Sequence, residues 1–270
     1  RPDVRVFLYE TWHSVEDPEG WLLRLHRDLG RYWEGELLAH AQATGDLPVP
    51  IYVIPAGQVM ARFAEAVAAR GGVDGIASER DLFARDATIE GDAAQAADTF
   101  RPFLLVYDAG RLVIASSRLA HLGFDAPAAY GVTLTTSDRT GDPADRPSAL
   151  IHDSEFRDLY YGFYSHAARG VDIVDSRYID SMHYGIDPHD GTEAMWIAGN
   201  MVRGTRIAHG IIASREVKDI VIHDNRSLDN AGAGIALDRG VTSAIVSGNS
   251  LTGNRSNGIT LYESHDIVVA

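Results

Sequence analysis

A short marker recurs along the second half of the chain and limits what the chain can become. Glycine followed by an aliphatic or aromatic residue appears at Gly162-Phe163, Gly185-Ile186, Gly210-Ile211, Gly234-Ile235 and Gly258-Ile259, with spacings of 23, 25, 24 and 24 residues. Ser176, Asn200, Asn225 and Asn249 run in step, each nine or ten residues before the next glycine. Strand-like runs such as Trp196-Ile197, Ile220-Val221-Ile222 and Ile245-Val246 lie between them. An earlier coil, built on Gly131, is interrupted by a polar insertion over 137–147. A fixed period with short strands, turn residues and no helical pattern predicts a right-handed parallel β-helix, each coil stacked about 4.8 Å from the next. The regular leucine spacing of a leucine-rich horseshoe is absent. Buried turn backbone needs hydrogen-bond partners, so the aligned Ser and Asn positions predict an internal ladder. Asn225-Arg226-Ser227 and Asn254-Arg255-Ser256 match glycosylation sequons, but Asn225 stands in the ladder and reads as structural.

The chain has 270 residues, 45% hydrophobic and 23% charged, which is ordinary for a globular protein with a real core. No apolar run is long enough to span a bilayer and no signal-peptide pattern opens the chain, so no membrane insertion is expected. Arg1-Pro2-Asp3 followed at once by a strand reads as a start inside a domain. With no cysteine, disulfides and thiolate-held metals are excluded. The net charge of −14 argues against nucleic acid or anionic membranes as partners, yet leaves room for a polyanion where cations gather locally. Lys218 is the only lysine. A GC-rich genome explains that most simply; a preference for guanidinium forks that grip carboxylates is the functional reading.

Residues 1–95 have a different texture. Val4–Tyr9 and Ile51–Ile54 read as strands, while 20–43 and 58–69 carry helical spacing, which together suggest a partial α/β segment. Tyr9-Glu10-Thr11-Trp12-His13 and Ile54-Pro55-Ala56-Gly57-Gln58 resemble part of an SGNH-type esterase-like domain. The nucleophilic Gly-Asp-Ser block and the late Asp-x-x-His of such enzymes are missing, so 1–95 is expected to be inactive. Residues 86–99 read as a linker, and 96–270 as the β-helix.

Within each coil, side chains alternate along the strand that follows the glycine. The residue after the glycine faces the core. The outward columns then read Tyr161, Tyr184, His209, Ala233, Asn257 before the glycine, and Tyr164, Asp187, Ile212, Ala236, Thr260 two after it. Next come His166, His189, Ser214, Asp238, Tyr262, and finally Ala167, Asp190, Arg215, Arg239, Glu263. Taken singly, a His or Tyr on such a face is ordinary surface, and Asp187-Pro188 could simply shape a turn. Together they offer a base candidate, an anion clamp and aromatic faces for sugar rings. No His-x-His or His-x-x-x-His spacing suggests a metal, and no cofactor is expected.

Tyr184-Gly185-Ile186-Asp187-Pro188-His189-Asp190 and His209–Val217 resemble the mannuronan C5-epimerases, especially the periplasmic alginate epimerase type. Arg101–Leu105, Asp153–Phe156, Tyr161–Tyr164 and Gly258–Ser264 extend the likeness over about 100–270. The resemblance implies a right-handed β-helix that converts D-mannuronate to L-guluronate within the polymer, in the periplasm or outside the cell. It implies His189 as the base, Arg215 as the group that neutralises the substrate carboxylate, and Asp187 and Asp190 as supports. It also implies alginate or polymannuronate as partner, beside other polysaccharide-secretion proteins. The coils end inside a repeat at Ala270, so the β-helix is expected to be incomplete at this end.

The chemistry suits these residues on its own terms. A proton α to a carboxylate leaves only if the enediolate is stabilised, which a two-point guanidinium contact can do. A histidine is a suitable base near neutrality, and a neighbouring carboxylate would raise its pKa. Inversion needs a proton from the other sugar face, from Tyr184, His209 or water; roughly 16 Å of extended strand separates Tyr184 from His189. Tyr161, Tyr164, His166, His209, Asp238 and Arg239 are the candidate binding residues. A polysaccharide lyase sharing the enediolate, and a non-catalytic polysaccharide-binding β-helix, remain open alternatives.

Overall fold

The computed structural model describes residues 50–53, 81–96, 101–136, 139 and 142–270. The strand and helix readings over 1–49 and 54–80, with the esterase-like residues among them, lie outside these.

Three parallel sheets wrap one core. The first runs through Pro50–Val53, Phe103–Tyr107, Gly131–Thr135, Tyr161–His166, Ile186–His189, Ile211–Ser214, Ile235–Asp238 and Ile259–Tyr262. The second includes Arg169–Val174, Glu193–Ala198, Lys218–His223 and Thr242–Ser247, and the third Arg177–Ile179, Met201–Arg203 and Arg226–Leu228. Apart from Pro50–Val53, which pairs with Phe103–Val106 from farther away in sequence, neighbours in a sheet are one coil apart, which is the solenoid that the period predicted. The coils also extend ahead of the expected boundary. Asp81–Arg85 and Thr88–Glu90 pair with Arg111–Ala115 and Arg118–Ala120, so the stretch read as linker is part of a coil. A three-residue strand places one side chain inward, here Ile89, which is too little for a periodicity to register.

Inside, like stacks on like. Phe163, Ile186, Ile211 and Ile235 form one fully buried column, and Phe156 lies flat on Tyr178 with centroids 4.5 Å apart. Burying each such side chain contributes about 1.5–3 kcal/mol. The polar ladder is present: Ser176, Asn200 and Asn225 each use the backbone N–H to donate to Asn200, Asn225 and Asn249 Oδ1 at 2.9 Å. A second ladder, through Thr205, Asn230 and Asn254, lines another corner. The marker glycines are required by close approach: a Cβ on Gly185 would lie 2.2 Å from Val202 and 2.6 Å from the Gly210 carbonyl. No helix among the described residues is long and apolar enough to cross a membrane.

Candidate active site

The outward columns assemble as the period requires. Tyr164 pairs with Asp187, His166 with His189, His189 with Ser214 and Ser214 with Asp238. The residue after each of these strands turns the corner in the left-handed region: Asp190 at φ 46°, Arg215 at 59° and Arg239 at 55°. Side chains that leave a bend rather than the flat sheet can reach back over the strand end. Asp190, Arg215 and Arg239 all do so.

His189 is the centre. Its Nδ1 meets Asp190 Oδ2, so Nδ1 carries the proton and the lone pair able to accept one is on Nε2. Burial lowers the His189 pKa; Asp190 opposes this, and Arg215 and Arg239 add to it. Asp190 raises the value, as expected of a neighbouring carboxylate, yet the net direction is downward. Desolvation and two cations outweigh one anion.

Asp187 lies beneath the groove floor, 1% exposed, although its position alternates outward. Its Oδ1 has no hydrogen-bond partner among the described residues. Burial, seconded by the charge of Asp190, raises its pKa well above the carboxylate range against Arg239 and Arg215. The raised value favours the uncharged acid at Asp187, while Asp190 holds the histidine.

Arg215 Nη1 is 3.9 Å from Asp190 Oδ1. Arg239 is clasped by its own coil and the one before, with Nε 2.6 Å from Asp238 Oδ2 and Nη2 2.9 Å from Ser214 Oγ. His166 Nδ1 faces Thr135 Oγ1 at 3.2 Å, and burial lowers its pKa.

The tyrosines are joined rather than scattered. Tyr184 meets Tyr161 edge-on at 5.1 Å, Tyr161 meets Tyr164 at 5.9 Å, and Tyr164 meets His189 at 5.7 Å. A row of rings thus fills the interval between Tyr184 and His189. Burial, followed by the Asp187 charge, raises the Tyr184 pKa, so its hydroxyl keeps its proton. His209 lies parallel to Tyr184 at 6.0 Å, and its Nδ1 accepts the Ala233 N–H at 2.9 Å. Its one proton is therefore on Nε2, a good donor of hydrogen bonds and a poor acid. Between Tyr184 and His209, the tyrosine is the better source of a proton.

Tyr130, Tyr160, His183 and Arg139 escaped the sequence reading. Tyr130 stacks on Tyr161 at 4.5 Å and 10°. It precedes Gly131, so carrying the tyrosine column back one coil would have found it. His183 and Tyr160 sit next to column members, at 4.3 Å from Tyr184 and 5.2 Å from Tyr161. Arg139 comes from the insertion, and periodicity carries no information about it.

Comparison with known proteins places the chain among β-helix proteins. Mannuronan C5-epimerase of Pseudomonas putida is 41% identical over 175 residues, covering 63% of this chain and 33% of that protein. The enzyme of the same name from Pseudomonas syringae pv. tomato is 41% identical over 170 residues, 62% of this chain and 32% of its own length. The chain thus spans about a third of the length of the curated relatives it matches. The crystal structure of the periplasmic alginate epimerase AlgG superposes with a TM-score of 0.69 at 25% identity, over 97% of this chain and 78% of that one. Residues 124–270, more than half of the chain, match the model described as "Right handed beta helix region". With its stacked coils and this match, the chain belongs to the right-handed β-helix family.

Proposed function

We propose that the site inverts C5 of D-mannuronate residues within alginate, yielding L-guluronate. The observation that carries this reading is His189, a neutral imidazole held at Nδ1 by Asp190 with Arg215 and Arg239 on the next two coils. A substrate carboxylate taken by Arg215 places its α-proton before His189 Nε2. Removing that proton spreads charge onto the carboxylate, where the guanidinium stabilises it. The planar carbon then accepts a proton from the opposite face, supplied by Tyr184 or by water. Burial of Asp187 beneath the site favours its uncharged form, which lessens repulsion of the substrate carboxylate. Tyr130, Tyr161 and Tyr164 give pyranose rings an apolar floor. The similarity to AlgG, described as periplasmic, supports the periplasm as the place of action.

Incubation with polymannuronate in heavy water tests the proposal. Guluronate signals with deuterium at C5 are expected in the proton NMR spectrum. An unsaturated, ultraviolet-absorbing chain end would instead assign the site to β-elimination. Binding of the polymer without exchange would leave only a recognition surface.

A further inference from the structure

The connection from the first sheet to the second is three residues long at 190–192, 215–217 and 239–241 but runs from 136 to 147 in the coil of Gly131. Arg139 stands on this longer piece, and its guanidinium crosses the edge of the site. Nη1 is 3.8 Å from Asp190 Oδ1 and Nη2 is 3.0 Å from Glu216 Oε2. The Arg139 carbonyl accepts from Arg146 Nη2 at 2.8 Å, and Arg146 Nη1 is 3.3 Å from the largely buried Glu193 carboxylate. Arg139 is thus tied at its backbone and at one arm of its fork.

Asp190 divides its oxygens. Oδ2 holds His189, while Oδ1 faces two cations at nearly equal distance, Arg139 at 3.8 Å and Arg215 at 3.9 Å. An incoming carboxylate competes with Asp190 for Arg215. We propose that Arg139 is a positioning residue, which keeps Asp190 fixed on His189 when Arg215 turns to the substrate. The proposal rests on the reading of His189 as base and Arg215 as clamp. Without Arg139, the turn of Arg215 strips Asp190 of both cations, and the carboxylate that sets the His189 tautomer loosens. Other groups also face His189: Tyr164 and His166 from the coil before, and Arg239 from two coils on. Arg139 acts on His166 directly and on His189 through Asp190.

The test is a double-mutant cycle on the His189 titration, followed by NMR of the labelled imidazole ring in R139Q, R215Q and R139Q/R215Q. Removing Arg215 stands in for its departure to substrate, so no ligand is needed. The double variant is expected to titrate at least about half a pH unit below the sum of the single shifts. R139K/R215Q restores most of that difference. Additive shifts would overturn the proposal, as would failure of lysine to rescue. In turnover, R139Q lowers kcat about tenfold with KM within about twofold of wild type; a loss in KM alone would assign Arg139 to binding. Absence of C5 exchange in the wild-type protein sinks the activity reading, and the titration cycle still decides the role of Arg139.

Discussion

Asp190 holds His189 at Nδ1 through one carboxylate oxygen and turns the other toward Arg215, whose Nη1 lies 3.9 Å away. One side chain thereby sets the tautomer of the proposed base and parks the proposed anion clamp. In D190N the amide can present its N–H to Nδ1, which favours the tautomer with its proton on Nε2. Exchange of the C5 proton in heavy water is expected to fall about a hundredfold or more, with the melting temperature little changed. Near wild-type exchange would show that Asp190 is dispensable for the chemistry.

His189 must be neutral to accept a proton, and burial with two guanidiniums lowers its pKa. The acid limb of kcat/KM is therefore expected below the ordinary histidine value of about 6.5. A pH–rate profile of guluronate formation measures it; an acid limb above that value would contradict the assignment.

The same direction holds for His166, His183 and His209, all lowered first by burial. A base with a depressed folded pKa binds its proton more readily in the unfolded chain. The stability these four neutral rings preserve is fully present above about pH 6.5 and is lost as the pH falls through their folded values. Chemical denaturation across that window is expected to show midpoints that drop on acidification. H183Q and H209Q are each expected to flatten the slope.

Asp187 shows the opposite sign. Its folded pKa lies well above the unfolded one, so its burial is tolerated while protonated and grows costly as the pH rises. D187N keeps the shape and removes the titration. It is expected to match wild type at about pH 4 and to exceed it at about pH 9, by about 1.4 kcal/mol for each unit of the raised pKa that is crossed. Equal stability at both ends would mean that Asp187 is ionised in the fold.

Asn225 is fully buried, accepts from the backbone and the side chain of Asn200, and donates to the Ile197 carbonyl at 2.9 Å. N225A leaves those partners unmet and is expected to cost about 2–4 kcal/mol in urea unfolding. At the less enclosed Asn254, alanine is expected to cost less.

The coils and their register were legible because one glycine, one core residue and one ladder residue recur in each, and the stacked pairings follow from counting between them. His189, Arg215, Asp187 and Asp190 fell on neighbouring columns for the same reason. Three things were illegible. The coil at 81–90 was hidden because a strand with one inward residue has no period. The sign of the His189 shift depends on how much solvent the neighbouring rings exclude, which no spacing reports. Arg139 arrives from a connection that breaks the repeat, so counting could not place it.

The left-handed corner that carries Asp190, Arg215 and Arg239 has a consequence for how such a site can change. Each strand pairs only with those of the adjacent coils, so a corner residue can be exchanged, or a corner lengthened as at 136–147, without shifting the pairing elsewhere. The walls of the molecule are tightly interlocked, and the corner is a mounting rail. New reactivity can be fitted there one bracket at a time, while the barrel behind it stays the same.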